Sequence, residues 1–246
     1  MSLVRYSQAH PERILPLTDI QGRNRYFGWY EKTYNEFDQE LKEEHKKHPD
    51  WKVLVSEYGA EGKHAYHLNE PALFDHSESY QVNLHKAYWK SIRENDFVLG
   101  GTIWNIFDFA SFAKVGNIPH VNQKGMMTYD RKPKSVYFYY QSEWTTEPMI
   151  YIHSHTWTHR YGQPGEKQPM EVFSNCENVE LFVNGKSQGI RKKVDGYVWL
   201  AEFTPGTNDL KAVGTKEGET VKTRMQLNFI HGTDQKKEKT VGKGDG

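Results

Sequence analysis

The sequence predicts an α/β region followed by an all-β sandwich. Three observations carry this reading. Short apolar runs alternate with amphipathic helical stretches up to about residue 146, the pattern of strands joined by crossover helices. Beyond Pro148 the apolar residues recur at every second position in short runs, as in half-buried strands. Asn184-Gly185, Asp195-Gly196, Pro205-Gly206 and Glu217-Gly218 punctuate those runs as turn signals.

In the first region, Leu17-Thr18-Asp19-Ile20 is a weak strand signal, followed by the aromatic loop Asn24-Arg25-Tyr26-Phe27-Gly28-Trp29-Tyr30. Residues 32–48 are charge-rich, with Phe37 and Leu41 one helical turn apart, which predicts an amphipathic helix. Trp51 to Tyr58 reads as a strand ending in a carboxylate, Glu57. Tyr80, Leu84, Ala87, Tyr88 and Ile92 recur at helical spacing over 77–95. Val98 to Trp104 is the next strand, leading into Asn105-Ile106-Phe107-Asp108, and a helix is expected from near Lys132-Pro133 to Trp144. Alternation of this kind implies parallel pairing, with polar residues gathered at the strand ends. In the second region, strands are expected at Met149–His153, Glu171–Ser174, Val179–Val183, Tyr197–Phe203, Asp209–Val213 and Thr223–Phe229, a spacing that suits an immunoglobulin-like sandwich. His153 and His155 fall in the alternating pattern as strand residues.

Composition excludes several function classes. The chain has 246 residues, with Lys plus Arg and Asp plus Glu both at 32 and a formal net charge of zero. A nucleic-acid surface needs a basic excess, so no nucleic-acid partner is expected. No apolar run approaches the roughly 20 residues of a membrane span, and Met1 to Tyr6 has no apolar stretch of the signal-peptide kind. Nothing in the chain assigns a compartment. The single cysteine, Cys176, excludes an internal disulfide and a multi-cysteine zinc cluster; with no motif beside it, it is expected to pack as a small apolar residue. The histidines show no metal-ligand spacing.

Aromatic residues make up 14% of the chain, and several gather at the predicted strand ends of the first region. Glu57 and Tyr58 close one strand and Trp104 the next, the loop Asn24 to Tyr30 offers aromatic and amide groups, and Asn122-Gln123-Lys124-Gly125 adds an amide and a cation. A carboxylate walled by rings, with amide and ammonium donors, suits a sugar: its CH faces stack and its hydroxyls take hydrogen bonds. Glu61 and His64 follow closely, but no pattern forces either into this site, and Asp108 receives no role.

Five stretches, in order, resemble the C-terminal portion of glycoside hydrolase family 2, the β-galactosidases and β-glucuronidases. They are Asn24 to Tyr30, Val55-Ser56-Glu57-Tyr58-Gly59, Gly101 to Phe109, Asn122 to Gly125 and Asp130-Arg131-Lys132-Pro133-Lys134. Phe173 to Cys176 and Val179 to Gly185 are similar to the sandwich that follows the barrel in bacterial β-galactosidases of the family. The resemblance implies the C-terminal part of a (β/α)8 TIM barrel over 1–146 (strands six to eight), an immunoglobulin-like sandwich over 147–231 and a disordered tail over 232–246.

It also implies a retaining mechanism, in which two carboxylates roughly 5–5.5 Å apart act on the anomeric carbon. Glu57 matches the nucleophile, Tyr26 the tyrosine that orients it, and Trp104 a sugar-stacking tryptophan. Asn24 and Tyr30 are expected to bind substrate. Asn122 and Lys124 match the Asn-x-Lys pair that β-glucuronidases use on the sugar carboxylate, although a similar stretch occurs in β-galactosidases. Lys124 stands where the large β-galactosidase branch has an asparagine serving a cation, so no metal and no cofactor are expected. The family's acid/base glutamate lies in an Asn-Glu pair far upstream of the nucleophile. Only 56 residues precede Glu57, and the Asn69-Glu70 pair follows it, so that pair is set aside. The chain therefore reads as a C-terminal piece that needs the missing half of its barrel, or another copy, to cover its surface. By itself it should be a weak or inactive catalyst. The first expectation is a β-galactosidase-like enzyme acting on terminal β-D-galactosides; the alternatives are a β-glucuronidase and a non-catalytic carbohydrate-binding or assembly module.

Overall fold

A computed structural model describes residues 18–112 and 118–232. The chain divides into two compact units between Tyr137 and Phe138. The segments around Leu17 and Gly116, and the expected tail apart from Gly232, lie outside the described residues.

The first unit is built on three parallel strands, β1 (Ile20–Asn24), β2 (Lys52–Tyr58) and β3 (Val98–Ile103), in that order across the sheet. Two helices connect them, α1 (Phe37–Lys47) and α2 (Glu78–Glu94). The apolar pair expected on α1 is its buried face: Phe37 stacks on Tyr88 of α2, whose ring in turn stacks on Tyr58 of β2. This column of rings ties both helices to the central strand. α1 is shorter than expected because Tyr34–Glu36 is a 3₁₀ turn, closed by reciprocal bonds between Thr33 and Glu36. Ser77 caps α2 by accepting the Tyr80 N–H at 2.9 Å, an N-terminal signal of the usual kind.

β1 begins at Ile20 and runs to Asn24, later than the Leu17–Ile20 signal. Its position is set by the ladder to β2, which continues to Glu57, and this outweighs a weakly apolar local sequence. The helix expected from Lys132-Pro133 starts at Ser135 (α3, Ser135–Trp144). The residues before it are engaged elsewhere: Lys132 accepts from the Thr128 N–H and the Lys134 N–H donates to Met126. Two short strands, β4 (Phe109–Ala110) and β5 (Val121–Asn122), pair antiparallel beyond β3.

The second unit is all-β. One sheet holds β7 (His159–Gly162), β9 (Asn178–Val183), β10 (Lys186–Lys192), β12 (Gly206–Lys216) and β13 (Glu219–His231), in the order β10-β9-β12-β13-β7. The other holds β6 (Ile150–Ile152), β8 (Lys167–Ser174) and β11 (Val198–Glu202), in the order β11-β8-β6. Residues from both sheets share one core, among them Ile152, Val172, Leu181, Trp199, Leu227 and Phe229, and Cys176 is buried in it. Asn184-Gly185 and Glu217-Gly218 join their hairpins with both residues at positive φ, the conformation that a two-residue hairpin turn requires. β7 and β10 were not legible, since His159-Arg160-Tyr161-Gly162 and Lys186 to Lys192 are too polar to alternate. His153 and His155 are not strand residues: β6 ends at Ile152 and both lie in the turn beyond it. There His155 meets the Ile152 and Arg224 carbonyls, and His153 meets Glu171. Among the described residues no helix is long and apolar enough to cross a membrane.

The two units differ in how well their sheets are covered. Parallel strands are normally buried on both faces, yet Leu99 on β3 is 54% exposed. Limited proteolysis of the 246-residue chain is therefore expected to cut the first unit well before the sandwich. Leu181→Ala in the sandwich core should cost about 2–5 kcal/mol of that unit's stability, and Leu99→Ala less than about 1 kcal/mol. Equal protease resistance of the two units would contradict this account.

Candidate active site

The parallel register brings the predicted residues together. Asn24, the last residue of β1, pairs with Glu57 near the end of β2, and the Arg25 N–H donates to the Glu57 carbonyl at 2.8 Å. The Ser56 hydroxyl donates to Asn24 Oδ1 at 2.9 Å. Two residues beyond Asn24 the chain has turned, so that the Tyr26 hydroxyl donates to Glu57 Oε2 at 2.9 Å. Burial, and then the Glu57 charge, push the Tyr26 phenol well above its ordinary range, so it remains a donor at neutral pH. α2 holds this loop in place: Tyr80 donates to the Gly28 carbonyl, and Tyr88 to that of Phe27 at 3.2 Å. Tyr30 packs against Tyr26 with ring centroids 5.1 Å apart.

The second wall follows β5. Lys124 is 1% exposed, and its Nζ donates to the Tyr30 hydroxyl at 2.9 Å. The ammonium also lies 3.4 Å from Glu61 Oε1, and 4.8, 5.3 and 5.9 Å from the ring centroids of Tyr30, Trp29 and Tyr26. Such rings favour a cation over their faces. Asn122 is buried as well, and its Oδ1 accepts the Lys124 backbone N–H at 3.1 Å. Trp104 joins this strand edge through its backbone, its N–H donating to the Tyr58 carbonyl at 2.9 Å. Trp104 is 37% exposed, and its ring meets Phe109 edge-on.

A buried polar layer supports the loop that carries Lys124. Asp108 Oδ1 accepts the Gly125 N–H at 2.9 Å and the Lys134 ammonium at 2.7 Å. Lys134 donates also to the Gln123 carbonyl at 2.9 Å, and Gln81 reaches the carbonyls of Ala60 and Gly125. Burial raises Asp108 above its ordinary range even beside Lys134, and lowers Lys134 even beside Asp108. Gly125 is packed so closely that a Cβ would overlap the Asp108 nitrogen and the Met127 oxygen. Glu78 at the start of α2 receives the backbone N–H groups of Ala65 and Ser135 at 2.8 and 2.6 Å, with His64 at 3.0 Å. Burial alone would raise its carboxyl, but the His64 bond, the nearby His67 and Ser135 outweigh it and hold the group at about 2.

Tyr26, Glu57, Asn24, Tyr30, Asn122 and Lys124 are thus linked by direct contacts or through shared backbone. Sequence reasoning assigned no role to Glu61 or Asp108 and named Trp29 only within the aromatic loop. Glu61 has one local signal, its place in the loop just after the Glu57 strand. Asp108 has none, since its partner Lys134 lies 26 positions away. His64 turns to Glu78, and Glu70 is exposed in the β2–α2 connection.

A model of the TIM barrel domain of glycosyl hydrolases family 2 matches residues 2–148. The chain belongs to glycoside hydrolase family 2. A domain of unknown function matches residues 165–222 of this family 2 chain. A β-glucuronidase of Bacteroides fragilis is 39% identical over 208 residues, 79% of this chain and 29% of its own length. A β-galactosidase of Bacteroides ovatus is 35% identical over 145 residues, 56% of this chain and 16% of its own. The structure of Bacteroides uniformis β-glucuronidase 2, covalently bound to cyclophellitol-6-carboxylate aziridine, superposes with a TM-score of 0.83 at 34% identity, covering 92% of this chain and 28% of that one. The family 2 chain spans about three tenths of the length of the first curated relatives it matches. More of these relatives are named β-glucuronidase than β-galactosidase.

The Glu78 carboxyl makes the stability of the first unit depend on pH. Its folded value of about 2 lies below the ordinary 4.5, so its stabilising contribution is complete well above the ordinary value and is lost as pH falls toward the folded one. The denaturation midpoint of the first unit should therefore drop between about pH 5 and 2, and more steeply than in Glu78→Gln. Parallel pH profiles for the two proteins would refute this role.

Proposed function

We propose that this chain is the part of a retaining β-glucuronidase that carries the nucleophile and the pocket for the sugar's carboxylate. The supporting observation is the continuous path Glu57–Tyr26–Tyr30–Lys124, which sets a buried ammonium two rings away from the candidate nucleophile. A glucuronide would present a carboxylate to that ammonium, making a charge-assisted bond. A galactoside would present a neutral hydroxymethyl group and gain much less from a buried cation. The names of the relatives support the same choice. The covalent complex of the Bacteroides uniformis enzyme supports a covalent intermediate, since carboxylate nucleophiles open aziridines and the 6-carboxylate mimics the glucuronide.

In this reading β1, β2 and β3 are barrel strands six to eight, within a barrel domain reaching to about residue 146. The second unit is an immunoglobulin-like sandwich over 147–231. Glu57 attacks the anomeric carbon, and Tyr26 holds its carboxylate in line by the bond at 2.9 Å. Trp104 stacks on the sugar, Asn24 meets its hydroxyls, and Tyr30, Asn122 and Lys124 receive its carboxylate. The acid/base carboxylate, roughly 5–5.5 Å from the nucleophile, comes from the rest of the barrel, outside these 246 residues. The same segments cover Leu99 and the open sheet edges.

Grafting this chain in place of the matching part of the Bacteroides uniformis enzyme tests the reading. The graft should hydrolyse nitrophenyl β-glucuronide faster than the galactoside, and Glu57→Gln should lower kcat by at least about 10³-fold. Lys124→Ala should lower glucuronide kcat/KM about 10- to 100-fold, the worth of a charge-assisted bond, and leave the galactoside nearly unchanged. The 246-residue chain by itself, without the acid, should be slower than the graft by about 10²–10⁴-fold. A graft that prefers the galactoside overturns the proposal.

A further inference from the structure

We propose that Glu61 is a positioning residue that sets this site's preference for a carboxylate-bearing sugar, an inference that rests on the glucuronide reading of Lys124. Each oxygen of Glu61 holds a different part of the same wall. Oε1 faces the Lys124 ammonium at 3.4 Å, and Oε2 accepts the Gln123 backbone N–H at 3.4 Å. The residue is 3% exposed. Its Oε2 also lies 3.9 Å from His76 Nδ1, and the His76 ring packs edge-on against Trp29, one of the rings around the ammonium.

This arrangement does two things that a neutral side chain would not. Removing an ammonium from water is unfavourable unless an anion accompanies it, and Glu61 is that anion. The carboxylate and the Tyr30 hydroxyl also bind the ammonium from different elements, the loop after β2 and the loop after β1. Together they direct the head group of a flexible side chain, which is the condition for a sugar carboxylate to gain from it. The grip on Gln123 positions the backbone between Asn122 and Lys124, the two residues proposed to meet that carboxylate. Glu61 is thereby distinct from a general support of the fold, which would serve acidic and neutral sugars alike.

Ligand-observed NMR titration of the full 246-residue chain with methyl β-D-glucuronide and methyl β-D-galactoside tests this. The wild-type chain should prefer the glucuronide, and Lys124→Ala should abolish the preference. Glu61→Gln keeps the shape and an acceptor for Gln123 but removes the charge; it should weaken glucuronide binding about tenfold and change galactoside binding less than about twofold. Glu61→Asp, which restores the charge one methylene shorter, should recover part of the selectivity at unchanged galactoside affinity. If Lys124→Ala abolishes the preference and Glu61→Gln preserves it, the Glu61 proposal fails and the glucuronide reading stands. The Glu61 proposal also fails if Glu61→Gln weakens both sugars equally or unfolds the chain while Glu61→Asp restores no selectivity. If the wild-type chain shows no preference, or Lys124→Ala retains one, the glucuronide reading fails and takes the Glu61 proposal with it.

Discussion

The parallel pairing of β1 with β2 is the constraint from which the rest of the site follows. It sets Asn24 opposite Glu57 and lets the Arg25 N–H close on the Glu57 carbonyl. With those two residues placed, the turn after β1 carries Tyr26 onto the Glu57 carboxylate and Tyr30 onto the Lys124 ammonium. Side chains in a strand change face with each residue, so a slip of one position in this pair would turn Glu57 away from the tyrosine. The column Phe37–Tyr88–Tyr58 resists such a slip, because it packs both helices against the central strand.

Beneath the candidate site residues lies an interior that is polar rather than apolar. Asp108, Lys134 and Gln81 bond the loop from Asn122 to Gly125, and Glu78 takes the backbone N–H groups of Ala65 and Ser135. Replacing a buried ion pair by apolar residues is often neutral for stability, whereas breaking one is costly. The value of this layer therefore lies in position. Directional bonds hold several loop carbonyls and amides at once, which apolar packing would not do. The loop in turn carries Lys124, whose side chain can direct its charge only from an anchored backbone.

Much of the fold was legible. α2 was evident from periodicity, β2 from its apolar run and the hairpin at Asn184-Gly185 from its turn residues, and the order of the family motifs singled out Tyr26, Glu57, Asn122 and Lys124. β7 and β10 were not, because their polar residues are strands only by virtue of the neighbours they pair with. The shift of α3 to Ser135 has the same origin: residues 132–134 are held by contacts with Met126 and Thr128. Glu61 and Asp108 looked like ordinary loop carboxylates, since each is defined by a lysine that is remote in sequence, Lys124 and Lys134 respectively. The Asn-x-Lys stretch likewise did not choose between sugars.

By itself, the sequence determined most of the element types, the hairpin turns at Asn184-Gly185 and Glu217-Gly218, the buried faces of α1 and α2, and the family. Those properties reside in local periodicity, turn chemistry and short motifs, each of which is readable within a few residues. The tertiary structure decided where the charges are buried and which of them meet. Glu61 with Lys124, Asp108 with Lys134 and Tyr26 with Glu57 are separated by 63, 26 and 31 positions. Only the folded backbone sets the distance between such groups, and it also removes the water that would otherwise screen them.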